Sequence, residues 1–227
     1  MGEAKRRKLA GLDAPRLMGD VRKLSESKRQ AYIKVVLECA KEVAAKLPEG
    51  EKLYAAFEPI LRFVVGGKYL GGCHDTSAVL YMQLRQAGLQ EADVALCIGE
   101  VKAQSSRFDH SWVEVRGQVF DVAICAPNEV GGFAGGAVFA GVDLSTNAPT
   151  QAMFGVASKD PLGDDAANVY GMNLFQYLDF QQSRGCKSMA DLAHEVYGVD
   201  GQELLAKYDD VNREWRNPLL NPRGVAV

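Results

Sequence analysis

The fold is decided by residues 71–89, which read GGCHDTSAVLYMQLRQAGL. After two glycines, Cys73 begins a run in which small or apolar residues recur at steps of four and three, at positions 73, 77, 80, 84 and 87. This spacing predicts a helix that starts at Cys73, carries the sulfur on its core-facing stripe and stops at Gly88. A cysteine in that place is either one more buried thiol or the nucleophile of an enzyme.

Helical patterns flank this run on both sides. Residues 27–47 predict an amphipathic helix that begins at Ser27 and ends before Pro48, and residues 51–65 predict a second helix that Pro59 kinks or divides. Toward the C-terminus, helices are predicted over residues 169–182, over SMADLAHEVYG (188–198) and over GQELLAKYDDVNREW (201–215).

Strand patterns lie between the helices: DVALCIGEV (93–101), HSWVEV (110–115) and QVFDVAI (118–124). Arg116-Gly117 is a short hairpin signal between the last two. Residues 131–158 are rich in Gly, Ala, Ser and Asn and predict irregular structure with one short strand, FAGVDL. A central helix that leads into antiparallel strands, with helices on both sides, predicts an α+β fold.

Charge divides the chain into a basic start and an acidic body. Residues 1–30 carry a net charge of +5 and the remaining residues −8. We therefore expect a basic arm over residues 1–26, one domain with helical flanks over 27–215, and a tail over 216–227. The arm could contact an acidic partner or extend into solvent, but an acidic body argues against nucleic acid as the main ligand.

Composition predicts a cytoplasmic protein. The chain has 227 residues, 47% of them hydrophobic, which is enough for one sizeable core, and no run of eighteen apolar residues indicates a membrane span. The charged start MGEAKRRK lacks the apolar segment of a secretory signal. Five cysteines without CxxC spacing predict reduced thiols. Export without a recognisable signal, and the oligomeric state, stay open.

A cysteine nucleophile needs a base within hydrogen-bond reach, and the chain has three histidines. His74 follows Cys73 directly. Since adjacent side chains diverge by about 100° on a helix, we expect His74 to be a poor base for that thiol. His194 lies in a helical run, where a structural role is the default. His110 opens a strand.

The predicted hairpin places a carboxylate beside His110. With a two-residue turn at Arg116-Gly117, residue 112 pairs with 121, and 110 with 123, so His110 and Asp121 are diagonal neighbours on one face. Asp121 also stands alone inside the apolar run VFDVAI, where an unpaired charge is costly. An imidazolium partner removes that cost, which favours a site that includes both residues.

These residues resemble the transglutaminase-like superfamily of papain-fold cysteine enzymes. The motifs are the helix entry at 71–78, a helix that ends in Ala-Gly, His-x-Trp-x-Glu-Val at 110–115, and Asp121 on the next strand. The match covers residues 60–125, less than a third of the chain. The resemblance implies a papain/transglutaminase-like core, in which a central helix packs on an antiparallel sheet.

The resemblance also implies the roles of the site residues: Cys73 is the nucleophile, His110 the general base and acid, and Asp121 the carboxylate that orients the imidazole. The backbone N–H of Cys73 is one expected oxyanion donor. Further candidates for oxyanion or substrate binding are Tyr69, Gln104 on the loop before His110, and Trp112, which either screens the imidazole or belongs to the core.

The predicted chemistry is acyl transfer or hydrolysis at an amide of a protein or peptide substrate, without a metal or cofactor. Deamidation, cross-linking and proteolysis share the catalytic residues and stay open. A metal site at Cys73, His74, Asp75 and His110 is disfavoured, because ligands at consecutive helix positions do not converge easily on one ion. Two other classes are a catalytically silent binding module on the same fold and a nucleic-acid-associated protein that uses the arm.

Overall fold

Three helices precede the sheet. In the computed structural model, which describes residues 20–67, 69–127, 132–157 and 162–217, they are α1 (Glu26–Ala44), α2 (Gly50–Val65) and α3 (Cys73–Gln86). Ser25 rather than Ser27 is the residue before the first turn of α1, and the helix ends at Ala44, earlier than predicted. Pro59 lies inside α2 without dividing it. Helix α3 begins at the predicted residue.

The main sheet contains a three-stranded antiparallel meander of β1 (Val94–Ala103), β2 (Ser106–Val115) and β3 (Gln118–Phe120). Val115 pairs with Gln118, which confirms the predicted two-residue turn. Strands β1 and β2 are longer than predicted because only residues 104 and 105 join them. Asp109 therefore lies within β2.

Strand β3 ends at Phe120, short of the predicted residues 118–124, because Asp121 turns the chain. The Asp121 backbone pairs with Val138 through N···O distances of 2.8 and 2.7 Å. Its carboxylate accepts hydrogen bonds from the backbone N–H groups of Ala123 at 2.9 Å and Ile124 at 3.3 Å. A side chain that binds the backbone two and three residues ahead favours a turn over a continued strand.

The glycine-rich segment forms more structure than its composition predicts. The remaining strands are β4 (Val138–Phe139), β5 (Val142–Asp143), β6 (Ala148–Pro149), β7 (Met153–Phe154) and β8 (Glu214–Trp215). The first three form a separate antiparallel sheet, and the last two pair with β1. FAGVDL, predicted as one strand, is a tight hairpin because Ala140 and Gly141 both adopt positive φ, 51° and 76°.

The C-terminal helices are α4 (Asp164–Tyr170), α5 (Leu174–Ser183), α6 (Met189–Tyr197) and α7 (Gly201–Leu205). The predicted helix over 169–182 is two helices, since Asn173 caps the start of α5 in a capping box with Gln176. The helix predicted over 201–215 stops at Leu205. Beyond it the chain forms turns over residues 206–210, and Glu214 then pairs with Cys97 of β1.

The core lies between the helices and the main sheet, where α3 packs against β1 and β2. Ser77, Leu80 and Leu84 of the predicted stripe are buried. Within the described ranges, no helix has the length and apolar character needed to cross a bilayer.

Both predicted ends of the chain contribute to the body. Val21, in the predicted arm, is buried in the core because it packs with the apolar side chains there. Arg216, in the predicted tail, donates its backbone N–H to Ile98 of β1 at 2.9 Å. The rest of the arm and tail, residues 1–19 and 218–227, lies outside the described residues.

The Asp75 carboxylate anchors the first turn of α3. It is 7% exposed and accepts hydrogen bonds from the Tyr177 hydroxyl at 2.6 Å, the Gln181 amide at 2.7 Å and the Tyr69 hydroxyl. The Tyr69 ring packs over Gly72, where a Cβ would lie 1.9 Å from a ring carbon. One buried carboxylate thus joins the loop before Cys73, the start of α3 and helix α5.

Asp75→Ala should lower the free energy of unfolding by about 3 kcal/mol, because it leaves two hydroxyls and one amide without their acceptor. Urea denaturation followed by circular dichroism measures this loss. Asp200→Ala is the matched control: it removes an exposed carboxylate that caps α7 and should cost about 1 kcal/mol. Equal losses in the two variants would contradict an anchoring role for Asp75.

Candidate active site

Cys73 occupies the first position of α3. Gly71, at φ +68°, leads into it and donates its N–H to the Ala126 carbonyl at 3.0 Å. The first N–H groups of a helix have no intrahelical acceptor and favour negative charge in front of them. Residue Cys73 is partly exposed, whereas Cys39, Cys97 and Cys125 are buried.

His110 and Asp121 form a buried pair on the adjacent hairpin. His110 Nε2 lies 2.6 Å from Asp121 Oδ2, and the two residues are 4% and 3% exposed. The other carboxylate oxygen, Oδ1, accepts the two backbone N–H groups that turn the chain after β3. The carboxylate is therefore held at both oxygens, and it fixes the orientation of the imidazole.

The Cys73 thiol and the His110 imidazole each shift the pKa of the other, so the two groups lie close together. Burial opposes the charged form of each group, but other contacts outweigh it. The charges of Asp121 and Cys73, together with hydrogen bonds to both, raise the pKa of His110 to about 10. The charges and hydrogen bonds of His74 and His110 hold the pKa of the Cys73 thiol well below its usual range. A raised pKa for His110 and a lowered pKa for Cys73 favour a thiolate beside an imidazolium.

The Asp121 bond also determines which ring nitrogen can serve the sulfur. Because Nε2 of His110 is held by Asp121, Nδ1 is the nitrogen left for Cys73. Edge-on contact with the Phe108 ring, at a centroid distance of 5.6 Å, covers the imidazole. A ring held in this way can carry a proton on the side that faces the thiol.

His74 lies beside the thiol, and the prediction that its side chain diverges from Cys73 is wrong. His74 lines the same cavity as Cys73 and is among the groups that lower the pKa of the Cys73 thiol, so its ring lies close to the sulfur. His74 Nδ1 lies 2.7 Å from Ser111 Oγ, and its ring meets Tyr177 edge-on at 6.5 Å. Side chains at a helix start lean past its N-terminal end, so neighbours in the first turn can reach the same space.

A cavity of about 820 Å³ opens over these side chains. Its walls come from five segments: 71–74, 106–110, 123–127, 132–134 and 163–166. Asp109 Oδ2 accepts the Gly163 N–H at 2.7 Å, which ties the entry of α4 to β2. Burial raises the pKa of Asp109, although this hydrogen bond opposes the shift.

The other predicted site residues lie elsewhere. The Tyr69 hydroxyl is engaged by Asp75, and Gln104 is exposed in the β1–β2 turn rather than on a loop that faces His110. Trp112 is buried in the core, where its ring packs against Phe154 at a centroid distance of 5.3 Å. None of the three belongs to the described lining of the cavity.

Comparison of the chain with protein-family models, with curated proteins and with solved structures gives no match. The described residues contain no group of three or more His, Cys, Asp or Glu side chains arranged to hold a metal ion. What the cavity can do therefore depends on its own side chains, which include a thiol and two imidazoles, one of them bonded to a buried carboxylate.

Cys73 should react with iodoacetamide at pH 6, where an ordinary thiol of pKa about 8.5 is almost entirely protonated. Cys186 is the internal control because it is exposed and lies on a different part of the chain. Mass spectrometry after a short pulse should show Cys73 labelled at least about tenfold faster than Cys186. His110→Ala should shift the Cys73 profile to higher pH. Equal labelling, unchanged by His110→Ala, would contradict the pairing.

The pH dependence of stability provides a second test. Between about pH 6.5 and 8.5 the folded pair keeps its proton on His110, whose pKa is raised, while the unfolded chain keeps one on the thiol. The folded and unfolded states bind equal numbers of protons, so this pair does not make the free energy of unfolding depend on pH in that range. In Cys73→Ser the unfolded chain no longer carries the proton that the thiol holds in the wild type. Asp121 still raises the pKa of His110 in this variant, although by less than Asp121 and Cys73 together. The contribution of His110 is then complete below about pH 6.5 and declines as the pH rises above it.

Cys73→Ser should therefore lose stability relative to the wild type above about pH 6.5, by up to about 1.4 kcal/mol per pH unit. Urea denaturation of both proteins at pH 6, 7 and 8 measures the difference and cancels groups common to both. A difference that does not change with pH would mean that His110 titrates like a free imidazole.

Proposed function

We propose that this protein is a cysteine acyltransferase or hydrolase that acts on an amide, with Cys73 as nucleophile, His110 as acid and base, and Asp121 as the orienting carboxylate. The observation that carries the proposal is the buried 2.6 Å bond between His110 Nε2 and Asp121, on an imidazole that also acts on a thiol at a helix start. A base oriented by a third group is the arrangement that activates a nucleophile.

The reaction follows from these positions. The Cys73 thiolate attacks the carbonyl carbon, a carbon–sulfur bond forms, and the carbonyl π electrons move to oxygen. When the tetrahedral intermediate collapses, the carbon–nitrogen bond breaks and His110 gives its proton to the leaving amine. Water or an amine then attacks the thioester and gives a proton to His110. The carbon–sulfur bond breaks and the thiolate returns.

We further propose a transglutaminase-like core for the α+β fold. The supporting features are the order of the elements and their packing. The cysteine begins a helix, the helix packs on antiparallel strands, the histidine lies on one strand of a hairpin, and the aspartate directly follows the other strand. The resemblance in residues 60–125 and this arrangement point in the same direction.

The acceptor decides the outcome of the reaction. Water yields deamidation of a glutamine side chain or cleavage of a peptide bond, and an amine yields a cross-link. A protein or peptide substrate fits a cavity whose walls come from five chain segments. Five free cysteines fit a reducing compartment, and we assign the activity to the cytoplasm.

The direct test uses p-nitrophenyl acetate as acyl donor and intact-mass spectrometry to detect an acetyl thioester on Cys73. Cys73→Ala should give none at that position. Asp121→Asn should slow acylation by about 10²- to 10⁴-fold because the imidazole loses its orienting acceptor. A pool of glutamine-containing peptides with a fluorescent primary amine then separates amine incorporation from ammonia release alone. A Cys73 that is never acylated, in a folded protein, would favour the binding module instead.

A further inference from the structure

His74 is the second imidazole of the cavity, and it is held differently from His110. Its Nδ1 faces a hydroxyl, Ser111 Oγ at 2.7 Å, where His110 has a carboxylate. Ser111 is fully buried on β2 and directly follows His110. When the Ser111 hydroxyl donates to Nδ1, the ring proton resides on Nε2, the nitrogen opposite this bond.

Two further contacts fix the position of His74. The buried guanidinium of Arg213 donates to the His74 carbonyl at 3.2 Å and lies over the Tyr177 ring, 4.7 Å from its centroid. The edge-on contact with Tyr177 supports the imidazole from the side. A donor positioned before the reaction needs no reorganisation when negative charge develops.

Other N–H side chains in the cavity lining already have partners. Within the described lining, Arg107 is paired with Glu100 at 3.2 Å, and His110 is bonded to Asp121. His110 must also give its remaining proton to the leaving group. Among these side chains, His74 is the N–H donor beside the sulfur that general acid–base catalysis does not use.

We propose that Nε2–H of His74 is the side-chain donor of the oxyanion hole, opposite the backbone N–H of Cys73. This inference rests on the proposed acyl transfer at Cys73. In the resting enzyme the donor faces the thiolate. As the carbon–sulfur bond forms, the negative charge moves from sulfur to the carbonyl oxygen two bonds away, and the hydrogen bond of His74 moves with it. When the carbon–nitrogen bond breaks, the charge leaves the oxygen and the carbonyl returns.

The experiment compares two reactions of Cys73. Alkylation by iodoacetamide displaces iodide at a saturated carbon and develops no oxyanion, so it reports on the thiolate alone. Acylation by p-nitrophenyl acetate passes through an oxyanion. Both rates are measured up to about pH 9.5, where an ordinary thiol is largely ionised. The variants are His74→Leu, which removes the donor, His74→Gln, whose amide nitrogen reaches a similar position, and His194→Gln.

His74→Leu should slow acylation by about 10²- to 10³-fold at pH 9.5 while alkylation stays within about threefold of the wild type. His74→Gln should recover at least about tenfold of the lost acylation rate. His194→Gln changes an exposed histidine of α6 and should leave both rates unchanged. A circular dichroism spectrum equal to that of the wild type shows that each variant is folded.

Two other results separate the possible failures. If the acylation defect of His74→Leu disappears at pH 9.5, or equals the alkylation defect, His74 acts only on the thiol, and the oxyanion role is wrong while acyl transfer stands. If wild-type Cys73 is not acylated, or His110→Ala is acylated as fast as the wild type at pH 6, the proposed function itself fails.

Discussion

Asp121 places a negative charge inside an apolar run, and such a charge needs hydrogen-bond partners. Both the fold and the site depend on the groups that provide them. Asp121 is 3% exposed, and leaving one charge of such a buried pair without its partner costs about 3–5 kcal/mol. His110 meets one carboxylate oxygen, and two backbone N–H groups meet the other. The same residue ends β3 and joins it to Val138 of the second sheet. Fold and site thus share one constraint, since any backbone that satisfies Asp121 also orients His110.

The nucleophile is held by a separate set of contacts. Asp75 ties the start of α3 to α5, and Arg213, from the segment before β8, reaches the carbonyl of His74. These buried polar groups stabilise one position of a helix end that would otherwise fray. The cavity therefore lies between two rigid parts: a helix start with its thiol and a hairpin with its oriented imidazole.

Local periodicity was sufficient to predict the parts of the site that lie close together in sequence. The start of α3 at Cys73 and the register that pairs Val115 with Gln118 follow from spacing and turn length. The shared face of His110 and Asp121 follows from the same register. The partners of Asp75 do not, because Tyr177 and Gln181 are more than a hundred residues away, and no local pattern links them to α3.

The errors also have physical causes. The 100° rule for adjacent residues describes the body of a helix, whereas Cys73 and His74 occupy its first turn, where both side chains lean past the end. The apolar pattern continues beyond Asp121 and therefore predicts a longer β3. The strand ends earlier because the Asp121 carboxylate accepts hydrogen bonds from the backbone N–H groups two and three residues ahead. The positive φ of Ala140, a residue without turn preference, concealed the hairpin in FAGVDL.

The central claim is that the buried pair keeps His110 protonated at a pH where a free imidazole is neutral. Nitrogen-15 NMR of the histidine rings measures this directly, and with three histidines the signals can be assigned by substituting His74 and His194. At pH 8 the account predicts that both ring nitrogens of His110 carry protons in the wild type, since its pKa is raised to about 10. A His110 ring that loses its proton near pH 6.5, as a free imidazole does, would contradict it.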